Sequence, residues 1–222
     1  MTKEAEWLEE RFREQADAEQ ASAMEAYMRN LFPFLGIRGP ERTALARSIW
    51  KELGVPKGEQ LVETALALWR LPEREFQYTA IELLDKHAKK AERGHVDVLE
   101  LLVTDKSWWD TVDLIASRLV GTYFVRYPDA VDAYTSRWIE SDSMWLRRTA
   151  LLYQLKYKEK TDTAKLFAYI DRCKEENEFF IRKAIGWALR EYAKTDENAV
   201  RRFVEDTALS PLSRKEALKH LK

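Results

Sequence analysis

Two stretches of the chain carry side chains suited to acting on charge. Residues 107–113 read Ser-Trp-Trp-Asp-Thr-Val-Asp, and further on a helical stretch sets Trp187 among Lys183, Arg190 and Lys194. On a helix, Trp109 and Asp113 stand four residues apart and share a face, while Trp108, Val112, Ile115 and Leu119 form the neighbouring apolar stripe. A carboxylate beside an indole face favours positive charge. The carboxylate stabilises a developing cation and can orient an attacking water, and the indole quadrupole adds roughly 0.5 to 2 kcal/mol. Trp187 does not need to serve the core of its own helix, because Ile181, Ala184, Ile185, Ala188 and Tyr192 already account for the buried side. Gly186 beside it lets another backbone approach closely.

The elements that must position these residues are helices. Apolar residues recur at spacings of three and four over most of the chain, alternating β-branched runs are scarce, and the Gly and Pro residues fall between the periodic segments. The pattern predicts helices over 3–17, 20–32, 40–53, 58–70, 73–90, 95–103, 108–125, 129–139, 144–157, 162–174, 178–194, 197–206 and 211–221. A repeat underlies them. Phe76, Trp109, Trp145, Phe180 and Leu212 start successive long helices at intervals of 33, 36, 35 and 32 residues, the range of stacked helix pairs. The segments beginning at Trp145, Phe180 and Leu212 share a basic residue at the fourth position, so Arg148, Lys183 and Lys215 are candidates for a cationic stripe on equivalent helix faces. The fold expected is all-α, a HEAT-like helical-repeat solenoid forming a single curved domain over residues 1–222.

Composition narrows the class of protein. With 222 residues, 45% of them hydrophobic and 12% aromatic, the chain can bury one substantial core, and no apolar run reaches membrane length. Lys3, Glu4, Glu6, Glu9, Glu10, Arg11 and Arg13 make the N-terminus too charged for a secretory signal, and the lone Cys173 forms no internal disulfide. These features predict a soluble cytoplasmic protein with no membrane partner. Cys173 reads as an incidental thiol. His87, His95 and His220 have no ligand spacing with it, and no phosphate loop, dinucleotide fingerprint or Ser-His-Asp set is present, so neither a metal site nor a cofactor is expected. The formal net charge of −1 hides an asymmetry. Residues 1–136 carry 18 Lys/Arg against 24 Asp/Glu, and residues 137–222 carry 19 against 14. A basic face able to bind phosphates and mere uneven solvation both fit that split.

Several longer strings stand out in order: Phe32-Pro-Phe-Leu-Gly-Ile, Pro40-Glu-Arg, Leu71-Pro-Glu-Arg-Glu-Phe-Gln, Lys106-Ser-Trp-Trp-Asp-Thr-Val-Asp, Trp145-Leu-Arg-Arg, Gln154-Leu-Lys-Tyr-Lys and Phe180-Ile-Arg-Lys-Ala-Ile-Gly-Trp. On these, over nearly its whole length, the chain resembles the AlkD family of bacterial DNA-alkylation-repair glycosylases. The resemblance implies a basic concave surface holding duplex DNA. It also implies hydrolysis of the N-glycosidic bond of cationic N3- and N7-alkylated purines, without flipping the base into a pocket. Carried over by motif, the active-site positions are Trp109, Asp113, Arg148 and Trp187. In that reading Asp113 faces the oxocarbenium ion formed on the sugar, the two tryptophans cradle the damaged nucleotide, and Arg148 holds a phosphate at the lesion. Lys183, Arg190, Lys215 and Tyr27, with Arg29 near the last, are further expected DNA contacts. No lysine is placed near Asp113 by motif, which predicts a monofunctional enzyme that leaves an abasic site, working as a monomer.

Simpler roles compete for the same residues. Ser107 with Asp110 resembles a capping box, which makes Asp110 a helix-start residue. Trp109 can pad the repeat interface, since Trp145 and Phe180 align with it, and the role of Arg148 rests on the resemblance alone because Leu152 and Leu155 share its side of the helix. A DNA-structure-binding protein without catalysis and a peptide-binding scaffold are the alternatives for the whole chain.

Overall fold

Helix formation follows the punctuation in the chain. In a computed structural model describing residues 1–221, the side chains of Thr2, Asp17, Asp162, Asp196 and Ser210 each accept a backbone N–H of the helix that follows, and Pro40 and Pro211 occupy first-turn positions where no N–H is missed. Lys222, the last residue of the expected domain, lies outside the described residues. The helices group into two compact units. The first, Met1–His87, holds α1 (Lys3–Glu14), α2 (Ala18–Tyr27), α3 (Gly39–Leu53), α4 (Gly58–Arg70) and α5 (Arg74–His87). The second begins at Ala88 and holds α6 (His95–Thr104), α7 (Trp109–Leu114), α8 (Gly121–Arg126), α9 (Val131–Ile139), α10 (Met144–Leu152), α11 (Thr163–Cys173), α12 (Phe179–Ala193), α13 (Glu197–Asp206) and α14 (Pro211–Ala217). No strand occurs among the described residues.

In the first unit, α2 stops at Tyr27 rather than continuing to residue 32, because Arg29 and Asn30 take φ values of 59° and 56°, left-handed conformations no helix continues through. The segment after it is pinned by a buried carboxylate. Glu75, 1% exposed, accepts the backbone N–H groups of Leu35 (3.0 Å), Gly36 (2.9 Å) and Ile37 (3.1 Å). Gly36 has φ 89°, and a Cβ there would lie 2.1 Å from the carbonyl oxygen of Asp17, so only glycine lets this segment lie against the cap of α2. Two of the strings singled out in the sequence, around Phe32 and around Leu71, are therefore two sides of one contact. Glu75→Gln should cost about 2 kcal/mol in denaturant unfolding, since the charge-assisted bonds weaken and the new NH2 group faces donors.

The second unit carries the repeat in its lateral bonds. Tyr134 donates to Asp97 across 37 residues, Tyr157 to the carbonyl of Gly121 across 36, and Ser213 to the carbonyl of Arg182 across 31. Thr135 and Tyr169 share a buried hydroxyl bond across 34. α10 packs on α7, α9 and α12, and α12 on α14, so the helices starting at Trp109, Met144, Phe179 and Pro211 are neighbours in one layer. These starts fall within one residue of the alignment of Trp109, Trp145, Phe180 and Leu212. The fold is all-α and HEAT-like. An aromatic seam joins three of the repeats, with Trp108 and Phe180 edge to face at 5.0 Å, Trp145 and Phe180 at 5.1 Å, and Trp108 and Trp145 at 5.8 Å. The ring in that seam from the Trp-Trp pair is Trp108.

One expected helix, 108–125, is three pieces. Between α7 and α8, residues Ile115–Val120 form a π-helical turn, and the Ser117 hydroxyl donates to the Asp113 carbonyl at 2.7 Å where the ladder shifts. Gly121 then starts α8 with room for no side chain, because a Cβ would lie 2.5 Å from the carbonyl oxygen of Tyr153.

Candidate functional site

The site lies wholly in the second unit, and α7 supplies its first half. The helix starts at Trp109, with Trp108 extended (φ −159°, ψ 162°) as its N-cap. The N-cap is Trp108 rather than Ser107, with no side-chain cap bond: the Ser107 hydroxyl donates back to the Val103 carbonyl at 2.7 Å, and Asp110 lies in the first turn of α7. Thr111 and Val112 are buried, which turns the opposite face, with Trp109 and Asp113, toward a cleft of about 380 Å³. Arg148 from α10 and Trp187 from α12 line the same cleft. The four residues carried over by motif are thus brought together.

Arg148 departs from its expected position. It is 4% exposed, and each of its three guanidinium nitrogens donates to a group of the protein. Nε donates to Asp113 Oδ1 at 2.7 Å and Nη2 to Asp113 Oδ2 at 2.9 Å, while Nη1 donates to the Phe180 carbonyl. This is a fork on a carboxylate, not a guanidinium turned outward for a phosphate. The repeat explains it: Arg148 stands three residues after Trp145, Asp113 four after Trp109, and adjacent repeats set these two positions side by side. The pairing fixes the plane of the carboxylate while leaving a lone pair of each oxygen for another partner. Burial pushes the Asp113 carboxyl above the usual carboxylate range, and the hydrogen bonds and charge of Arg148 pull it back only in part.

The expected cationic stripe also changes composition. Lys183 and Arg190 line the cleft from α12, but both are engaged by Glu216 of α14: Lys183 Nζ lies 2.9 Å from Oε1, and Arg190 Nη1 pairs with Oε2. Lys215, expected to extend the stripe, is exposed and is not among the residues lining the cleft, where its neighbour Glu216 stands instead. The reason is the close crossing of α12 and α14. A Cβ on Gly186 would lie 2.4 Å from the Glu216 Cβ and 2.9 Å from the Ser213 carbonyl oxygen, so the absent side chain of Gly186 is what admits this face of α14. The close approach expected at Gly186 is realised here. Phe179, 55% exposed, and Phe180 complete the wall.

Other expected positions fall elsewhere. Tyr27 ends α2 in the first unit and is 73% exposed, and Arg29 follows it with positive φ. Lys194 pairs with Glu191 at 2.6 Å on the surface. Cys173 is buried at 1% exposure, and burial, with Glu176 beside it, pushes its thiol up to about 12, so it carries no thiolate at neutral pH. Among the described residues no group of three His, Cys, Asp or Glu is disposed to hold a metal ion. Sequence reasoning missed Glu216, Phe179 and Phe180 as cleft residues. For Glu216 a signal was present, since it stands four residues after Leu212 as Asp113 stands four after Trp109.

A helical-repeat protein whose cleft sets an ion-paired carboxylate between tryptophans and cations is the class that fold and site define. The chain matches the model of the DNA alkylation repair enzyme family over residues 8–221, and it belongs to that family. Among solved structures it is similar to a "Predicted DNA alkylation repair enzyme from Enterococcus faecalis", with 35% sequence identity and a TM-score of 0.86 over 93% of this chain and 96% of that chain. No curated protein sequence matches it.

Proposed function

We propose that the protein is a monofunctional DNA glycosylase that removes cationic N3- and N7-alkylated purines, 3-methyladenine and 7-methylguanine among them, from duplex DNA and leaves an abasic site. The observation that carries this reading is the Asp113 carboxylate, clamped by Arg148 and facing a cleft shared with Trp109 and Trp187. A purine alkylated at N3 or N7 already bears a full positive charge and departs without being protonated. When its N-glycosidic bond breaks, the bonding pair leaves with the base, which becomes neutral, and the charge passes to the sugar as an oxocarbenium ion. Asp113 stabilises that ion, then accepts a proton from the water that attacks C1′. The two indoles offer faces to the cationic nucleotide.

Every residue lining the cleft lies on a helix, so the wall is made of helix faces, which supports excision without flipping the base into a pocket. Lys183 and Arg190 supply phosphate contacts, Lys215 and Tyr27 are proposed as further contacts from their exposed positions, and Arg148 acts through Asp113 as a positioning residue. The chemistry needs no cofactor or metal, and the protein works as a cytoplasmic monomer on chromosomal DNA. No helix among the described residues is long and apolar enough to cross a membrane.

The test is release of free base from a duplex carrying a single 7-methylguanine or 3-methyladenine, read by mass spectrometry, with borohydride present in a parallel reaction. Release without a trapped protein–DNA adduct is expected. Binding without release from either lesion overturns the enzymatic reading, and a trapped adduct overturns the monofunctional one. The pH dependence is a further expected result. Only ionised Asp113 stabilises the cation, so the single-turnover rate should be flat above its pKa and fall as pH drops through it. Because burial raises that pKa, the fall should be centred above the ordinary aspartate value of about 3.9. A rate that is level down to that value would place the carboxylate outside the chemistry.

A further inference from the structure

Glu216 is the one acidic residue besides Asp113 in the cleft lining. It occupies the same place in its repeat as Asp113 does, four residues after the aligned start, and like Asp113 it pairs with a cation three residues after an aligned start, here in the repeat before it. Arg148, three after Trp145, binds Asp113 of the preceding repeat, and Lys183, three after Phe180, binds Glu216 of the following one. Glu216 differs in taking a second cation, Arg190. Its side chain is 14% exposed, and the close crossing at Gly186 holds its Cβ against α12. Lys183, Trp187 and Arg190 stand at i, i+4 and i+7 on one face of α12, so a single carboxylate ties down the two cations that flank the tryptophan.

We propose that Glu216 is a positioning and specificity residue for the reaction, holding Lys183 and Arg190 on either side of Trp187 and restraining their pull on undamaged phosphates; this rests on the glycosylase reading above. Two physical consequences run in opposite directions. Lysine and arginine side chains lose much rotamer freedom when they grip a phosphate, and a partner already in place lowers that cost and fixes where the backbone sits relative to Asp113. The same carboxylate cancels charge. With Asp113 and Glu216 set against Arg148, Lys183 and Arg190, the cleft carries a small net positive charge, and removing Glu216 raises it by one. Lys183 and Arg190 hold the Glu216 carboxyl below the usual range, so the restraint operates throughout neutral pH. Undamaged DNA offers only phosphates, and a lesion adds a cation that the two carboxylates attract. A cleft with Glu216 therefore trades general affinity for discrimination.

The experiment compares the full-length wild type with Glu216→Gln and Glu216→Ala. Alanine keeps the Cβ packed against Gly186, so both variants preserve the helix crossing, and thermal unfolding checks this. Affinity for undamaged duplex should rise about tenfold at low salt in both variants. The slope of log affinity against log salt should steepen by about one. The single-turnover rate of base release from 7-methylguanine DNA at saturating enzyme should fall about tenfold. Affinity and rate moving in opposite directions, with folding intact, supports the assignment. Affinity and rate that both fall together with the unfolding temperature assign Glu216 a purely structural part and overturn the proposal, as do two unchanged readouts or a rise in affinity with an unchanged rate. Absence of release by the wild type defeats the glycosylase reading instead, and the binding and salt measurements keep the two failures apart.

Discussion

Asp113→Asn is expected to slow release of 7-methylguanine from duplex DNA about a thousandfold while DNA binding persists. A unit charge about 4 Å from a developing cation, at an effective dielectric near 20, is worth about 4 kcal/mol. Felt only in the transition state, that corresponds to roughly three powers of ten in rate. Asparagine is nearly isosteric but neutral, and it can offer Arg148 only one accepting oxygen where the carboxylate offered two. Part of the effect therefore arises from a displaced side chain, and measuring the rate at saturating enzyme, with affinity determined separately, isolates the chemical step. A rate within a factor of ten of the wild type would remove Asp113 from the mechanism.

Arg148→Met should have the largest effect on stability, about 3 to 5 kcal/mol in denaturant unfolding. A buried ion pair contributes little net stability, but cutting away one partner leaves the other charge buried and uncompensated. Here the methionine would leave both Asp113 oxygens and the Phe180 carbonyl without the guanidinium donors. The pH dependence has a defined sign. Arg148 is what lowers the Asp113 carboxyl, so its loss raises a pKa that folding has already raised. A carboxyl whose pKa rises on folding stabilises the folded state most when protonated, below its unfolded pKa, and that contribution is lost as pH rises through the folded value. The deficit of the variant should thus be greatest at neutral pH and shrink as pH falls through the Asp113 pKa. Its rate profile should move its acid limb upward. In a double-mutant cycle, Arg148→Met and Asp113→Asn should be strongly non-additive. Unchanged stability with weakened DNA binding would instead return Arg148 to an outward role on phosphate.

Much of this molecule is legible locally. Helix existence and most starts, to within a residue or two, follow from apolar spacing of three and four, because that effect acts within a few residues; the caps Asp17 and Asp162 set the starts at Ala18 and Thr163 where 20 and 162 were expected. The repeat is legible for a related reason: Trp109, Trp145, Phe180 and Leu212 recur because stacking neighbours demand similar side chains at equivalent positions. That Trp109 and Asp113 share a face follows from helix geometry alone. The interruption at Ile115–Val120 was not legible, since an apolar stripe reads the same through a π turn as through an α-helix. Nor was the contact of Glu75 with the segment around Gly36, which joins residues some forty positions apart.

The chain by itself determined that helices form, how they repeat, that Trp109 and Asp113 share a helix face, and that Trp187 lies off the buried side of its own helix; it left open whether Trp109 pads the repeat interface. Only the tertiary structure decided which charges meet. Successive residues on a helix differ in direction by about 100°, so whether the third or the fourth residue of a repeat faces the cleft depends on how each helix is rotated against its neighbours. That rotation is set by packing details such as the Gly186 crossing and the Trp108–Trp145–Phe180 seam. It turned Arg148 inward onto Asp113, left Lys215 in solvent, and brought Glu216 to Lys183 and Arg190. Charges 26 to 35 residues apart in sequence become neighbours only once those faces are docked.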